Sequence, residues 1–111
     1  MDKLDKYRQA IQAFLKDYAS IPISNGEIES YTVFDTAEDH YQVMSVGWDG
    51  NRRVHGCVIH LDIKDGKVWL QQNSTEVRVA YELMDMGIQR EDIVLGFQAP
   101  AMRQYTDFAT A

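Results

Sequence analysis

Apolar residues at Leu4, Tyr7, Ile11, Phe14, Leu15 and Tyr18 recur at steps of three and four, with Lys, Asp, Gln and Arg between them. That spacing predicts one apolar face on an α-helix of about four turns. Asp2 is placed to cap its start, and the stretch from Ser20 to Gly26, with Pro22 inside it, stops it. The stripe is narrow enough to serve as a dimer seam. Its simpler use is to cover a sheet.

The middle of the chain follows a different period. Ile28 to Phe34 and His40 to Trp48 are rich in β-branched and aromatic residues. Arg53 to Lys64 is longer and ends in alternation, which assigns Cys57, Ile59, Leu61 and Ile63 to one face and Val58, His60, Asp62 and Lys64 to the other. Lys67 to Gln72 carries Val68, Trp69 and Leu70. Asp49-Gly50 and Asp65-Gly66 fall between these runs, and Asp-Gly supplies the positive φ angles of a tight hairpin turn. Four antiparallel strands in a meander are expected.

A second helix is expected from Ser74 to Met86. Asn73 and Glu76 have capping-box spacing, Val77, Ala80, Tyr81 and Met84 give an apolar face, and Gly87 marks the end. Ile93 to Leu95 reads as a short strand, and the segment after Pro100 as a helical turn around Met102 to Tyr105. The whole is an α+β fold in a single domain over residues 1–111.

Composition narrows the picture. With 45% hydrophobic residues the chain affords a core without staples, and its single cysteine, Cys57, has no internal partner for a disulfide. The N-terminus lacks the apolar run of a signal peptide, and no stretch approaches the ~20 apolar residues of a membrane span. A cytoplasmic protein is expected. The net charge is −6, from 17 acids against 11 bases, which disfavours direct nucleic-acid binding. A protein partner is the better fit, with Arg52, Arg53, Trp69 and Arg103 as candidate contact residues. Aromatic and methionine content beyond the needs of one small core points to a homodimer.

Candidate chemistry is thin. His55, Cys57 and His60, with His40 elsewhere, suggest a metal site, but strand alternation sets positions 55 and 57 opposite to 60, and the spacing matches no usual zinc pattern. No metal site or cofactor is expected. Asp62-Ile63-Lys64 places a carboxylate and an ammonium on one strand face, as restriction-type nucleases do around a divalent ion, with Asp39 or Asp49 as an upstream acid. The triplet runs straight into the Asp65-Gly66 turn, where charged residues are ordinary solvated surface. Metal-dependent nuclease activity through Asp62 and Lys64 is therefore the alternative, and a protein that performs no catalysis is the expectation.

The stretch from Arg52 to Asn73, RRVHGCVIHLDIKDGKVWLQQN, resembles the central signature of the XisI family. The opening MDKLDKYRQAI, the DHYQV and GWD segments between Asp39 and Asp49, and EDIVLGF with YTDFA near the C-terminus resemble it too. Departures stand at Ser74, Arg78 and Gln98. The resemblance implies a cyanobacterial factor controlling excision of the fdxN DNA element, acting with a XisH-type protein, a site-specific recombinase or both. XisH-type proteins themselves resemble restriction-type nucleases, which makes the partner the natural holder of nuclease chemistry. The signature brings no catalytic residue with it.

Overall fold

In the computed structural model, residues 2–23 and 27–111 are described. Helix α1 spans Lys3–Ser20, and Asp2 caps it as its position suggests: the Asp5 amide donates to the Asp2 carboxylate at 2.8 Å. The helix ends before Ile21, whose amide donates back to the Tyr18 carbonyl. The remainder of the predicted stop, Ser24 to Gly26, lies outside the described residues. Tyr7, Ile11 and Leu15 form the buried stripe of α1, with Leu4, Phe14 and Tyr18 along its margins. The stripe covers a sheet.

Strands β1 (Glu27–Asp35), β2 (His40–Asp49), β3 (Arg52–Lys64) and β4 (Lys67–Asn73) form the expected antiparallel meander, in the spatial order of the sequence. The two hairpin turns differ. Lys64 pairs with Lys67, leaving Asp65 (φ 53°) and Gly66 (φ 77°) as the central residues, both with the positive φ of a type I′ turn. Asp49 pairs with Arg52, so the other loop is Gly50-Asn51 with positive φ at Gly50 alone, the φ pattern of type II′. The longer β1–β2 loop closes on Asp35, whose carboxylate accepts the amides of Ala37 and Glu38.

A fifth strand, β5 (Ile93–Leu95), joins β4 in parallel, so the sheet is mixed at one edge. The crossover between them carries helix α2, Val79–Asp85. That helix is shorter than the sequence suggests. Asn73 belongs to β4, and its side chain accepts from the amide and hydroxyl of Thr75 and donates to the Val77 carbonyl. A local turn thus takes the groups that a capping box would have used, and Glu76 has no capping role. The C-terminal stop is as expected: Gly87 at φ 103° closes α2, with Ile88 donating to Leu83 and Gly87 to Met84.

Both helices pack on one face of the sheet. Tyr7, Ile11 and Leu15 of α1 and Val79, Ala80 and Leu83 of α2 meet Tyr41, Val43, Ile59, Leu61, Ile63, Val68, Leu70 and Ile93 in a single core. The opposite face carries no helix among the described elements apart from 3-10 turns. The turn at Pro100–Tyr105 brings Arg103 over the Trp69 ring, which lies on that face.

Two bulges set which residues reach the open face. Val43 pairs with Ile59 but Met44 pairs with Cys57, so Val58 is the extra residue in β3. The expected alternation through Cys57 is therefore broken: Val58 packs against the core and Cys57 is only partly buried. His55, opposite Val46, and His60, opposite Gln42, come to the same face, against the sequence expectation. On the other side of β3, His60 pairs with Gln72 and Leu61 with Leu70, leaving Gln71 as the extra residue of β4.

Candidate functional site

Two features of the open face stand out. The first is a polar cluster at the end where β2 begins and β3 finishes. His40 lies directly opposite Asp62 across the β2–β3 pair, and His60 is two residues before Asp62 on the same strand. The Asp62 carboxylate oxygen Oδ1 meets His40 Nδ1 at 2.8 Å and His60 Nε2 at 2.8 Å. Its other oxygen, Oδ2, accepts from Gln71 Nε2 at 3.2 Å, a contact made possible by the β4 bulge. Burial alone would push the Asp62 carboxyl up, but His40, His60 and Gln71 together hold it below the usual carboxylate range. The Asp62 carboxylate in turn raises His40 above the usual imidazole value.

Beside this cluster, and turned toward α1, is a second network. Arg8 binds Asp39 with two nitrogens, Nε at 2.8 Å and Nη2 at 3.1 Å, and the buried Tyr41 hydroxyl donates to the same carboxylate at 2.8 Å. Arg8 accordingly holds the Asp39 carboxyl below its ordinary range, and burial beside Asp39 pushes the Tyr41 hydroxyl up. Asp39 is thus committed to anchoring the helix.

The nuclease arrangement considered from sequence is not assembled. Asp62 and Lys64 do share a face, but the Lys64 ammonium sits over the Trp69 ring, 4.7 Å from its centroid. Asp39 faces Arg8, and Asp49 lies at the far end of the sheet beside Arg52. The metal combination considered from sequence is not assembled either. His60 instead joins His40 and Asp62, whose ligand atoms all lie within 4.8 Å of one another. Alternation did set His60 and Asp62 on one face, but it treats one strand at a time and so could not bring in His40. The signal lay in the pairing register, which sets His40 opposite Asp62.

The second feature is apolar. Tyr31 (41% exposed) and Val33 (47%) of β1 and Trp48 (49%) of β2 stand on the open face. Tyr31 pairs with Met44, Val33 with Gln42 and Trp48 with Glu27, so apolar and polar side chains are interleaved across the two strands. Arg53 lies over the Trp48 ring at 5.3 Å, and Arg52 reaches Asp49 at 3.5 Å.

The four candidate contact residues therefore divide into two places. Arg52 and Arg53 flank the β2–β3 hairpin. Trp69 and Arg103 sit toward the opposite end of β3, about 30 Å away along an extended strand of this length. Trp69 is itself buried, its ring between Lys64 and Arg103, while Arg103 also donates to the carbonyls of Gln98 and Gly96. The exposed tryptophan is Trp48.

The described residues build an α+β domain with helices packed on one sheet face and, on the other, a polar cluster and several exposed apolar side chains. Its relatives identify the kind. Residues 1–110 match the model of the XisI protein family, and the chain belongs to that family. A crystal structure of a XisI-like protein from Anabaena variabilis is 53% identical, covers 98% of this chain and 100% of that one, and superposes with a TM-score of 0.90. The fdxN element excision controlling factor XisI from the same organism is 36% identical, covers 99% and 100% of the two chains, and has a TM-score of 0.84. No curated protein matches the sequence.

Proposed function

We propose that this chain is a regulatory binding factor that controls excision of a DNA element by contacting proteins, a XisH-type partner or a site-specific recombinase, through the open face of its sheet. The observation that supports this reading is the exposure of Tyr31, Val33 and Trp48 on a face over which no α-helix packs among the described residues. Large aromatic side chains held on a rigid sheet are typical anchors of protein interfaces. The excision-controlling role is that of the XisI relative, carried here by family membership. The acidic net charge of −6 suits a protein partner better than a phosphate backbone.

Co-expression with a XisH-type protein gives a stable complex at near-physiological salt. Trp48→Asp weakens that complex while leaving the fold intact, because the side chain is half-exposed. Absence of any complex with either partner class refutes the reading. The same exposed side chains support a homodimer, and light scattering at tens of micromolar then gives twice the chain mass. In this reading the chain works inside the cell, binds no DNA by itself and catalyses no reaction. A salt-sensitive gel shift by the isolated protein, or magnesium- or manganese-dependent DNA cleavage lost in Asp62→Ala, overturns it.

A further inference from the structure

We infer that His40, His60 and Asp62 form a binding site for a divalent transition-metal ion, with zinc the best match to the donor set. The claim goes beyond the protein-contact role and does not depend on it.

Three observations carry it. The first is convergence. An ionised carboxylate only accepts, so His40 Nδ1 and His60 Nε2 both direct an N–H at the single oxygen Asp62 Oδ1, each at 2.8 Å. Each neutral imidazole holds its one proton on the nitrogen facing that oxygen. Moving that proton to the other ring nitrogen, through solvent, frees a lone pair on the inner side. Two nitrogens and one oxygen then face a common point. A tetrahedral ion with bonds of about 2.0–2.1 Å needs ligand atoms roughly 3.3 Å apart. Opening each contact by about half an ångström meets that requirement, and the three atoms already lie within 4.8 Å of one another.

The second observation is the platform. All three side chains rise from one face of two paired strands, with His40 and Asp62 directly opposed and His60 two residues along. Strand-borne ligands hold their geometry better than loop-borne ones. Gln71 Nε2 binds Asp62 Oδ2, the oxygen left over for a neighbour, and so orients the carboxylate. This is the outer support that metal-ligating carboxylates usually have.

The third is access. The Asp62 side chain is 14% exposed and His40 is 54% exposed, so the cluster is rooted in the sheet but open to solvent on one side. Three protein ligands leave a coordination position for water or for an incoming donor. Two imidazoles with one carboxylate favour zinc and its first-row neighbours over magnesium or calcium, which prefer all-oxygen shells.

The test uses the full chain without an affinity tag, stripped with EDTA. Zinc is titrated by calorimetry, and cobalt by its visible absorption as a coordination reporter. The expected result is one ion per chain. His40→Ala and His60→Ala each weaken binding by at least about tenfold, and His55→Ala, whose histidine shares the face but not the cluster, leaves it unchanged. Circular dichroism of each stripped variant establishes folding. Because His40 is half-exposed, His40→Ala remains folded and informative even if His60→Ala does not. Zinc raises the melting temperature of wild type and not of His40→Ala. No stoichiometric ion, or an ion bound equally well by His40→Ala and His55→Ala, overturns the assignment.

Discussion

Gly47 lies near one end of the β1–β2 pair, opposite Ile28, at φ 156°. A Cβ placed there would stand 2.0 Å from the Glu27 carbonyl oxygen and 2.7 Å from the Ile28 Cα. Both obstacles are backbone, so no side-chain rotation relieves them. Gly47→Ala must push the first part of β1 away or twist β2, at a cost of about 3 kcal/mol when overpacking and backbone strain are taken together. For a chain of this length that lowers the melting temperature by about 12 °C. Two other glycines provide internal standards. Gly50 has open space around it but φ 61°, so Gly50→Ala costs about 1 kcal/mol from left-handed backbone alone. Gly56 has open space and no positive φ, so Gly56→Ala changes stability by less than about 1 kcal/mol in either direction. Urea unfolding followed by circular dichroism should rank the losses with Gly47 first, Gly50 second and Gly56 last. A Gly47→Ala protein within about 1 kcal/mol of Gly56→Ala would falsify the packing argument.

The other expectations concern the core and the ends of α1. Leu15 is fully buried, so Leu15→Ala costs about 3 kcal/mol in urea unfolding with an unchanged m-value; a loss under about 1 kcal/mol refutes close packing of α1 on the sheet. The Tyr7 hydroxyl donates to Asp92 Oδ2 at 2.6 Å and accepts the Gln89 amide, so Tyr7→Phe costs about 1 kcal/mol at pH 7. Burial pushes the Asp92 carboxyl up, yet Tyr7 and Lys3 outweigh it and hold the group below its ordinary value. A depressed folded-state pKa stabilises above the unfolded value of about 4 and ceases to do so as pH falls through the folded one. The gap between wild type and Tyr7→Phe therefore narrows below about pH 4; a gap constant from neutral pH to acid contradicts the assignment. Gln71→Ala removes the outer support of Asp62 and should weaken zinc binding by about tenfold without abolishing it, as calorimetry would read.

Elements defined by local periodicity were legible before the structure. Tyr7, Ile11 and Leu15 marked the buried stripe of α1, and Asp65-Gly66 marked a hairpin through its backbone demands. What depended on non-local pairing was not legible. The bulges at Val58 and Gln71 arise from the fit between neighbouring strands; the first moved His60 onto the face of His55, and the second brought Gln71 to Asp62. That α2 starts later than the expected Ser74 has a local cause: Asn73 suits a helix cap and a strand-ending turn equally well, and the turn prevailed. The burial of Trp69, named from sequence as a candidate contact residue, and the exposure of Trp48 depend on non-local packing. The return of the chain at Pro100–Tyr105 brings Arg103 over Trp69, while nothing among the described residues comes back over Trp48 in that way.

The outermost strand carries a further consequence. β1 borders the sheet, and Glu27, Glu29 and Asp35 are spaced along its nine residues. Were two copies to align these rims and continue the ladder sideways, carboxylates would crowd together along the seam. At the other rim β5 is three residues long, too brief to template an incoming chain. Both borders thus discourage runaway growth into fibres.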